Sequence, residues 1–542
     1  MNSFKKNSIY ALSVFTLMGM ASCANDNLNV DEPQPPVLNA EGYFLTFNVE
    51  TVPTVSTRSA TNANGDTENV DAAANESQLK DALLYFVDAN NNILIDPVSV
   101  NENAVIDTGL GKQITGADGT FNIAVKVNPA DLVGLCNKGD IYLIIVGNAT
   151  ETSLTYNFSN EEGKKAANAA KFTVSSFDDV IQPFGNDKAG KVLPLVSYDR
   201  MKLTADFNSI TDASSSNLIP IYNLFSETYG TNGKQLKLKS ESSDAVVLER
   251  AVARIDFNDG GERNGLKQFC YKLADSNVTA KIVAMEVFNV NSQSYLFRHT
   301  IEGTPASAFG ASKTALDDTQ LFGKENGGLT NGNYNWIYPC DWSNSGFDAG
   351  RTLLNRYSNR GSEANAKANL SYFEKTGENS ILQNGFYPWI YITENVIPTT
   401  ALMDSDDDRQ DNATGIAFTF RFVDDNGDAI TASSTNLPAG VKIIGDDDTK
   451  QLRVLQSDGK YFDFDFDGTD GTIEKTYIGW IKHNDPTDGV DPMEYAIVRN
   501  NVYQCKVTSV GGLIEWHEAE SLFLTLQVNV RQWQKRDNSF NF

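Results

Sequence analysis

Between Glu41 and Val52 the chain alternates. Tyr43, Leu45, Phe47 and Val49 fall on one side of an extended backbone, and Phe44, Thr46, Asn48 and Glu50 on the other. Successive side chains of a strand point to opposite faces, so this period of two predicts a strand packed on one face. Strand-like runs recur at Leu83–Val87, Phe121–Val127, Ile141–Val146, Ile282–Val287, Ile416–Phe422, Tyr495–Val510 and Leu522–Trp533. In the last, Leu522, Leu524, Leu526, Val528 and Val530 alternate with Phe523, Thr525, Gln527, Asn529 and Arg531. Polar turns join apolar runs within Tyr85–Leu94 and Phe420–Ile430; in the second, Asn426-Gly427 supplies the positive φ values of a tight turn. Asn128-Pro129 before Ala130–Leu135 predicts one short capped helix, and helices are otherwise minor.

The expected fold is therefore mainly β, with two tandem β-sandwich domains and few short helices. The boundary is expected near residue 245, where Ser/Asp-rich sequence gives way to Leu248-Glu-Arg-Ala-Val-Ala-Arg-Ile-Asp-Phe257, giving domains at 59–245 and 246–542. A length of 542 residues agrees with two cores rather than one. Residues 53–77 carry few apolar side chains and predict an exposed loop with one basic residue, Arg58.

The N-terminus reads as an address. Lys5 and Lys6 precede an apolar stretch from Ile9 to Met18, followed by Gly-Met-Ala-Ser-Cys23. That order describes a secretory signal peptide over 1–23, too short in its apolar part to span a bilayer. Small residues before Cys23 resemble a bacterial lipobox, although Met20 stands where Leu is usual. Ordinary cleavage leaving an unmodified Cys23 is the alternative. Two acyl chains on Cys23 would anchor the protein stably, and the proline-rich stretch 24–40 would lift it off the outer membrane.

The formal charge of −26 excludes nucleic acid as a partner, because phosphate contacts need clustered Lys and Arg. An acidic surface keeps an exported protein soluble. Cys136, Cys270, Cys340 and Cys505 are widely spaced, without a CxxC pair; they can form disulfides in any of three pairings or stay as buried thiols. His299, His483 and His517 lie far apart, and no GxSxG, HExxH or phosphate-loop string occurs, so neither enzyme activity nor a cofactor is expected. Asp463, Asp465, Asp467, Gly468 and Glu474 satisfy a calcium-loop pattern. Phe462, Phe464 and Phe466 alternate with the aspartates, so a strand is the favoured reading, and a strand cannot wrap one ion. Trp389 and Trp480 are candidates for a sugar platform, with core packing the commoner explanation.

Three strings carry a family likeness: Tyr477-Ile-Gly-Trp-Ile-Lys-His483, Tyr495-Ala-Ile-Val-Arg-Asn-Asn-Val-Tyr503, and the closing strand through Trp533. They resemble the fimbrillins of Bacteroidales, most of all the shaft subunits of Porphyromonas short (minor) fimbriae, and Leu248–Phe257 is similar to the opening of that family's second domain. The resemblance implies transthyretin-like sandwiches and a lipoprotein precursor bound for a cell-surface fimbrium. It further implies an arginine-specific protease cutting after Arg58, so that 24–58 comprises the spacer and a removable strand, Tyr43–Val49. The strand Leu522–Trp533 of a neighbouring copy would replace it, and accessory anchor and tip subunits would complete the filament. Burying five such apolar side chains contributes on the order of 8–15 kcal/mol before entropy costs. The alternative readings are a strand that completes its own domain, a glycan-binding surface lipoprotein, and a secreted hydrolase with a carboxylate pair.

Overall fold

The computed structural model describes residues 42–51, 69–71, 76–101, 112–117, 119–127, 141–150, 152, 154–159, 163, 165–175, 192–202, 228–229, 233–237, 245–258, 269–303, 319–323, 334–343, 346–347, 351–359, 386–397, 406–466, 471–483, 493–518 and 524–534. These are mainly β, with two short α-helices, α1 (Asp406–Asn412) and α2 (Leu513–Glu518). None of the described helices is long and apolar enough to cross a membrane.

An eleven-stranded sheet gathers the N-terminal strands. Its first member, β1 (Gly42–Thr51), is followed in the chain by the short β2 (Asn69–Asp71), which joins a different sheet. The large sheet continues with β3 (Asp81–Val87), β4 (Thr120–Val127), β5 (Tyr142–Gly147), β6 (Leu195–Ser197), β7 (Gly233–Lys237) and β8 (Ala245–Arg250). One face buries Val49, Leu84, Phe86, Phe121, Ile123, Leu143, Ile145 and Leu248 together, the alternate residues of several strands.

Two smaller sheets face each other across a second core. The first holds β9 (Ala253–Asn258), β11 (Tyr387–Ile392), β14 (Asn501–Val510) and β15 (Leu524–Gln534), with β2 at its edge; its order is β2-β15-β14-β9-β11. The second holds β10 (Thr279–Phe288), β12 (Gly415–Val423) and β13 (Glu474–Trp480), with Cys270–Lys272 alongside. Phe257, Tyr503 and Cys505 from the first meet Ile282, Phe418, Phe420 and Tyr477 from the second. The chain passes from the large sheet to this sandwich at Ala251-Val252, between β8 and β9. A third cluster joins the two units, with Tyr85, Ile144 and Val146 packed with Val252, Phe297, Tyr391 and Val502.

The expected strands at 83–87, 121–127, 141–146, 282–287 and 416–422 are present. The expected strand over Tyr495–Val510 begins only at Asn501. Asn500 turns at φ 58, the Arg499 side chain is buried, and its guanidinium pairs with Glu394, which breaks the extension before it. In the turn after β12 only Gly427 takes a positive φ, 77°. Asn426 stays in the ordinary region because the Asp424 carboxylate accepts from the backbone N–H groups of both Asn426 and Asp428, each at 2.9 Å. The helix expected at Ala130–Leu135 lies outside the described residues.

Candidate assembly site

β1 is hydrogen-bonded along both edges. β4 runs antiparallel to it from Tyr43↔Val127 to Glu50↔Thr120. The other edge is shared by two parallel strands, β7 from Gly42↔Gly233 to Thr46↔Lys237 and β8 from Asn48↔Ala245 to Thr51↔Leu248. Its end is pinned: the Thr51 N–H donates to the Gly119 carbonyl at 2.7 Å, and its hydroxyl donates to the same oxygen at 3.3 Å. Val49 and Thr51 are buried, which sets the inward parity that the alternation predicts. Cys23, Arg58 and Leu522 lie outside the described residues.

β15 occupies the outer part of its own sheet. It runs antiparallel to β14 from Asn501↔Gln532 to Val510↔Leu524, with a register shift between Val507 and Ser509. Leu524 and Val530 are 8% and 3% exposed; Leu526 and Val528 are half-buried against the same core, while Thr525 and Gln527 face solvent. Backbone approach there is close, for a Cβ on Gly479 would lie 2.7 Å from Leu526 Cδ2. On its other edge β15 meets only β2 among the described residues, in parallel register Asn69↔Gln532, Val70↔Trp533 and Asp71↔Gln534.

A buried ionic network centres on Arg250, Arg254 and Asp256 of the string Leu248–Phe257. Arg254 Nη1 donates to both Glu76 carboxylate oxygens at 3.0 and 2.9 Å, and its Nε and Nη2 grip Asp256 at 2.7 and 2.9 Å. The Tyr391 hydroxyl also donates to Glu76. Arg250 donates from Nε to the Glu76 carbonyl at 2.9 Å and from Nη2 to Ser77 Oγ at 3.0 Å. The backbone N–H of Asn500 closes on the Val252 carbonyl at 2.9 Å. Nearby, Arg298 pairs with Glu249, and Arg499 Nη2 with Glu394 Oε2 at 2.9 Å. Burial alone would lower the Arg254 pKa, but Asp256 and Glu76 together hold it above its ordinary value. Burial dominates at Arg250 and brings it down to about 10. The residue that sequence reading missed is Glu76. A signal did exist for its partners, since Arg254-Ile-Asp256 sets opposite charges on one face of an otherwise apolar strand, between Ala253 and Phe257.

The other candidates fall apart in space. Tyr461–Asp465 is a strand, with Phe464 buried and Asp463 facing outward. Arg453 holds Asp463 through two hydrogen bonds of 2.6 Å, Gln451 Nε2 donates to Asp465 at 2.8 Å, and Glu474 pairs with Arg421. Asp467 lies outside the described residues, among which no group of three His, Cys, Asp or Glu is placed to hold a metal ion. Trp389 is 4% exposed within the second core, edge-on to Phe257, so its ring offers no face to a sugar; Trp480 packs edge-on against Phe288 at 5.7 Å. Cys270, Cys340 and Cys505 are buried free thiols, and burial pushes Cys340 and Cys505 well above the ordinary thiol range. His299 and His483 are buried singly, pushed down to about 3 and about 4, with desolvation the leading cause in both.

No protein-family model and no curated protein matches the chain. Among solved structures it is similar to a fimbrilin from Porphyromonas gingivalis, at 12% identity and a TM-score of 0.36, covering 92% of this chain and 99% of that one. It is also similar to the tip fimbrial protein Mfa3 of the same organism with its C-terminus truncated, at 10% identity and a TM-score of 0.28, covering 91% and 99%. Its structural neighbours include Bacteroidales fimbrillins and adhesin-like proteins.

Proposed function

We propose that this chain is a structural subunit of a cell-surface fimbria, assembled by strand exchange between copies, that supports adhesion and biofilm formation. The observation that carries the reading is that β1 is paired along both edges and ends just before the segment containing Arg58. Loss of β1 would leave β4 facing β7 and β8 across an open slot of unpaired backbone groups, which a strand of matching polarity can fill. β15 brings Leu524, Leu526, Val528 and Val530 in the required alternation, and Leu522 precedes them in sequence. A head-to-tail contact of this kind does not close on itself, so it extends into a filament.

In this reading a lipid on Cys23 brings the precursor to the outer membrane, and an arginine-specific protease cuts after Arg58. A neighbour's β15 then enters the slot, with anchor and tip subunits at the filament ends. Electron microscopy of the purified chain, before and after mild arginine-specific proteolysis, tests it. Filaments are expected only after the cut, and few from Arg58→Ala. Abundant filaments from that variant would remove the protease step, and none from the cut wild type would remove strand exchange.

A further inference from the structure

We infer that β2 is a latch on β15, keeping the strand in its own sheet while the connection between β1 and β2 is intact; this rests on the strand-exchange reading above. One edge of β15 belongs to β14 from Leu524 to Gln532. The other edge is covered among the described residues only at Gln532–Gln534, by β2, so Gln532 is paired on both sides.

The position matters. Leu524 and Val530, buried in the same core as Leu513 and Trp516 of the neighbouring α2, secure β15 as far as Val530. A strand frays from its end, and β2 covers the end beyond Val530, where pairing with β14 stops at Gln532.

The latch is weak by itself. A parallel pairing of three residues has little independent stability. What favours it is that the chain on either side of β2 is fixed. Thr51 is tied to Gly119 on the upstream side, and Glu76 is sealed in the arginine network on the downstream side. Two fixed ends raise the local concentration of β2 beside β15, and a cut after Arg58 removes one of them. A single cleavage would thus act twice, freeing β1 from its slot and loosening the hold on the strand that fills the slot of the next copy.

Hydrogen exchange on the full chain tests the latch apart from assembly. In the triple variant Asn69→Gly, Val70→Gly, Asp71→Gly, amides toward the Gln534 end of β15 are expected to exchange about 10-fold faster or more, with those of β9 unchanged. The cut wild type is expected to show the same acceleration. Unchanged exchange in the triple variant overturns the latch, whether or not filaments form. In a second variant, Val70→Cys with Trp533→Cys, oxidation pins the register pair. The cut, oxidised protein is expected to form no filaments until it is reduced, and filament growth while still oxidised also overturns the latch. If exchange responds as expected but no cut protein ever polymerises, the latch stands and the strand-exchange reading fails.

Discussion

Arg254 and Glu76 meet with both side chains sealed from solvent, although they lie 178 residues apart in sequence. Arg254 belongs to β9, in the sandwich of the two smaller sheets, and Glu76 lies five residues before β3 of the large sheet. A carboxylate placed there is costly unless it is paired, so the two units are held in one relative arrangement by charge as well as by the apolar cluster beside it.

Breaking this pair should be expensive, and asymmetrically so. Glu76→Ala leaves Arg254 with Asp256, whereas Arg254→Met leaves two buried carboxylates that have both lost their shared guanidinium, with Arg250 bonded to the Glu76 backbone carbonyl. Removing one partner of a buried pair costs about 3–5 kcal/mol, so Glu76→Ala is expected near the lower end and Arg254→Met at or above the upper. Urea unfolding measures both. A loss below about 1 kcal/mol for Arg254→Met would mean that water enters the junction.

Stability should fall in mild acid through His483. Its folded pKa of about 4 lies below the ordinary value of 6.5, because burial disfavours the charged ring. The unfolded chain therefore takes up the proton first. The contribution is intact above pH 6.5 and is lost as pH falls toward 4, at up to about 1.4 kcal/mol per pH unit. The Tyr503 hydroxyl lies 2.9 Å from Nδ1. His299 acts in the same sense, while the buried carboxyls of Glu249 and Asp256, raised by burial, act in the opposite one. The slope specific to His483 is thus a difference: urea midpoints of His483→Gln between pH 6.5 and 4.5 should depend less steeply on pH than those of wild type. Identical slopes would show that the imidazole titrates normally.

Calcium should leave the melting temperature unchanged. The carboxylates of the D-x-D-x-D string that lie on the strand already face Arg453 and Gln451, and Glu474 faces Arg421. Millimolar calcium against a chelator, followed by calorimetry, checks this. A saturable rise in Tm would restore the ion-binding reading.

Much of the fold was legible because burial on one face writes a period of two into the sequence. Leu83–Val87 and Ile416–Phe422 came through instead as short apolar runs, since most positions of the strands Asp81–Val87 and Gly415–Val423 are buried on both faces. The strand over Tyr495–Val510 was read too long, since Arg499 and Asn500 take their conformation from Glu394 and the Val252 carbonyl, partners that no local pattern contains. The arginines of Arg250-Ala-Val-Ala-Arg254 stood out in the sequence, but Glu76 did not: an acid in a polar segment looks solvated until its distant partner is known. The pairing of β2 with β15 was invisible for the same reason, being a contact between three polar-flanked residues and a strand at the far end of the chain.

The strand-exchange reading also fixes a register that can be tested. Val49 and Thr51 are the buried positions of β1 that the structure describes, and the sequence alternation continues their parity back through Phe47 and Leu45 to Tyr43. In β15 the apolar parity is even, with Leu524 and Val530 buried in its own sheet. Matching the five alternating positions of one strand to the five of the other sets Leu522 in the place of Tyr43, Val528 in that of Val49 and Val530 in that of Thr51. Val49 lies directly opposite Phe121 on β4, which is itself buried, whereas Asn122 is the next residue along and faces the other way. Mixing a Phe121→Cys chain with a Val528→Cys chain should therefore give an intermolecular disulfide after arginine-specific proteolysis, and none before it. An Asn122→Cys chain should give far less under the same oxidation, because a slip of one residue turns every side chain to the wrong face. Equal cross-linking at both positions would mean that the incoming strand has no fixed register, and a slot without register cannot select this strand over any other.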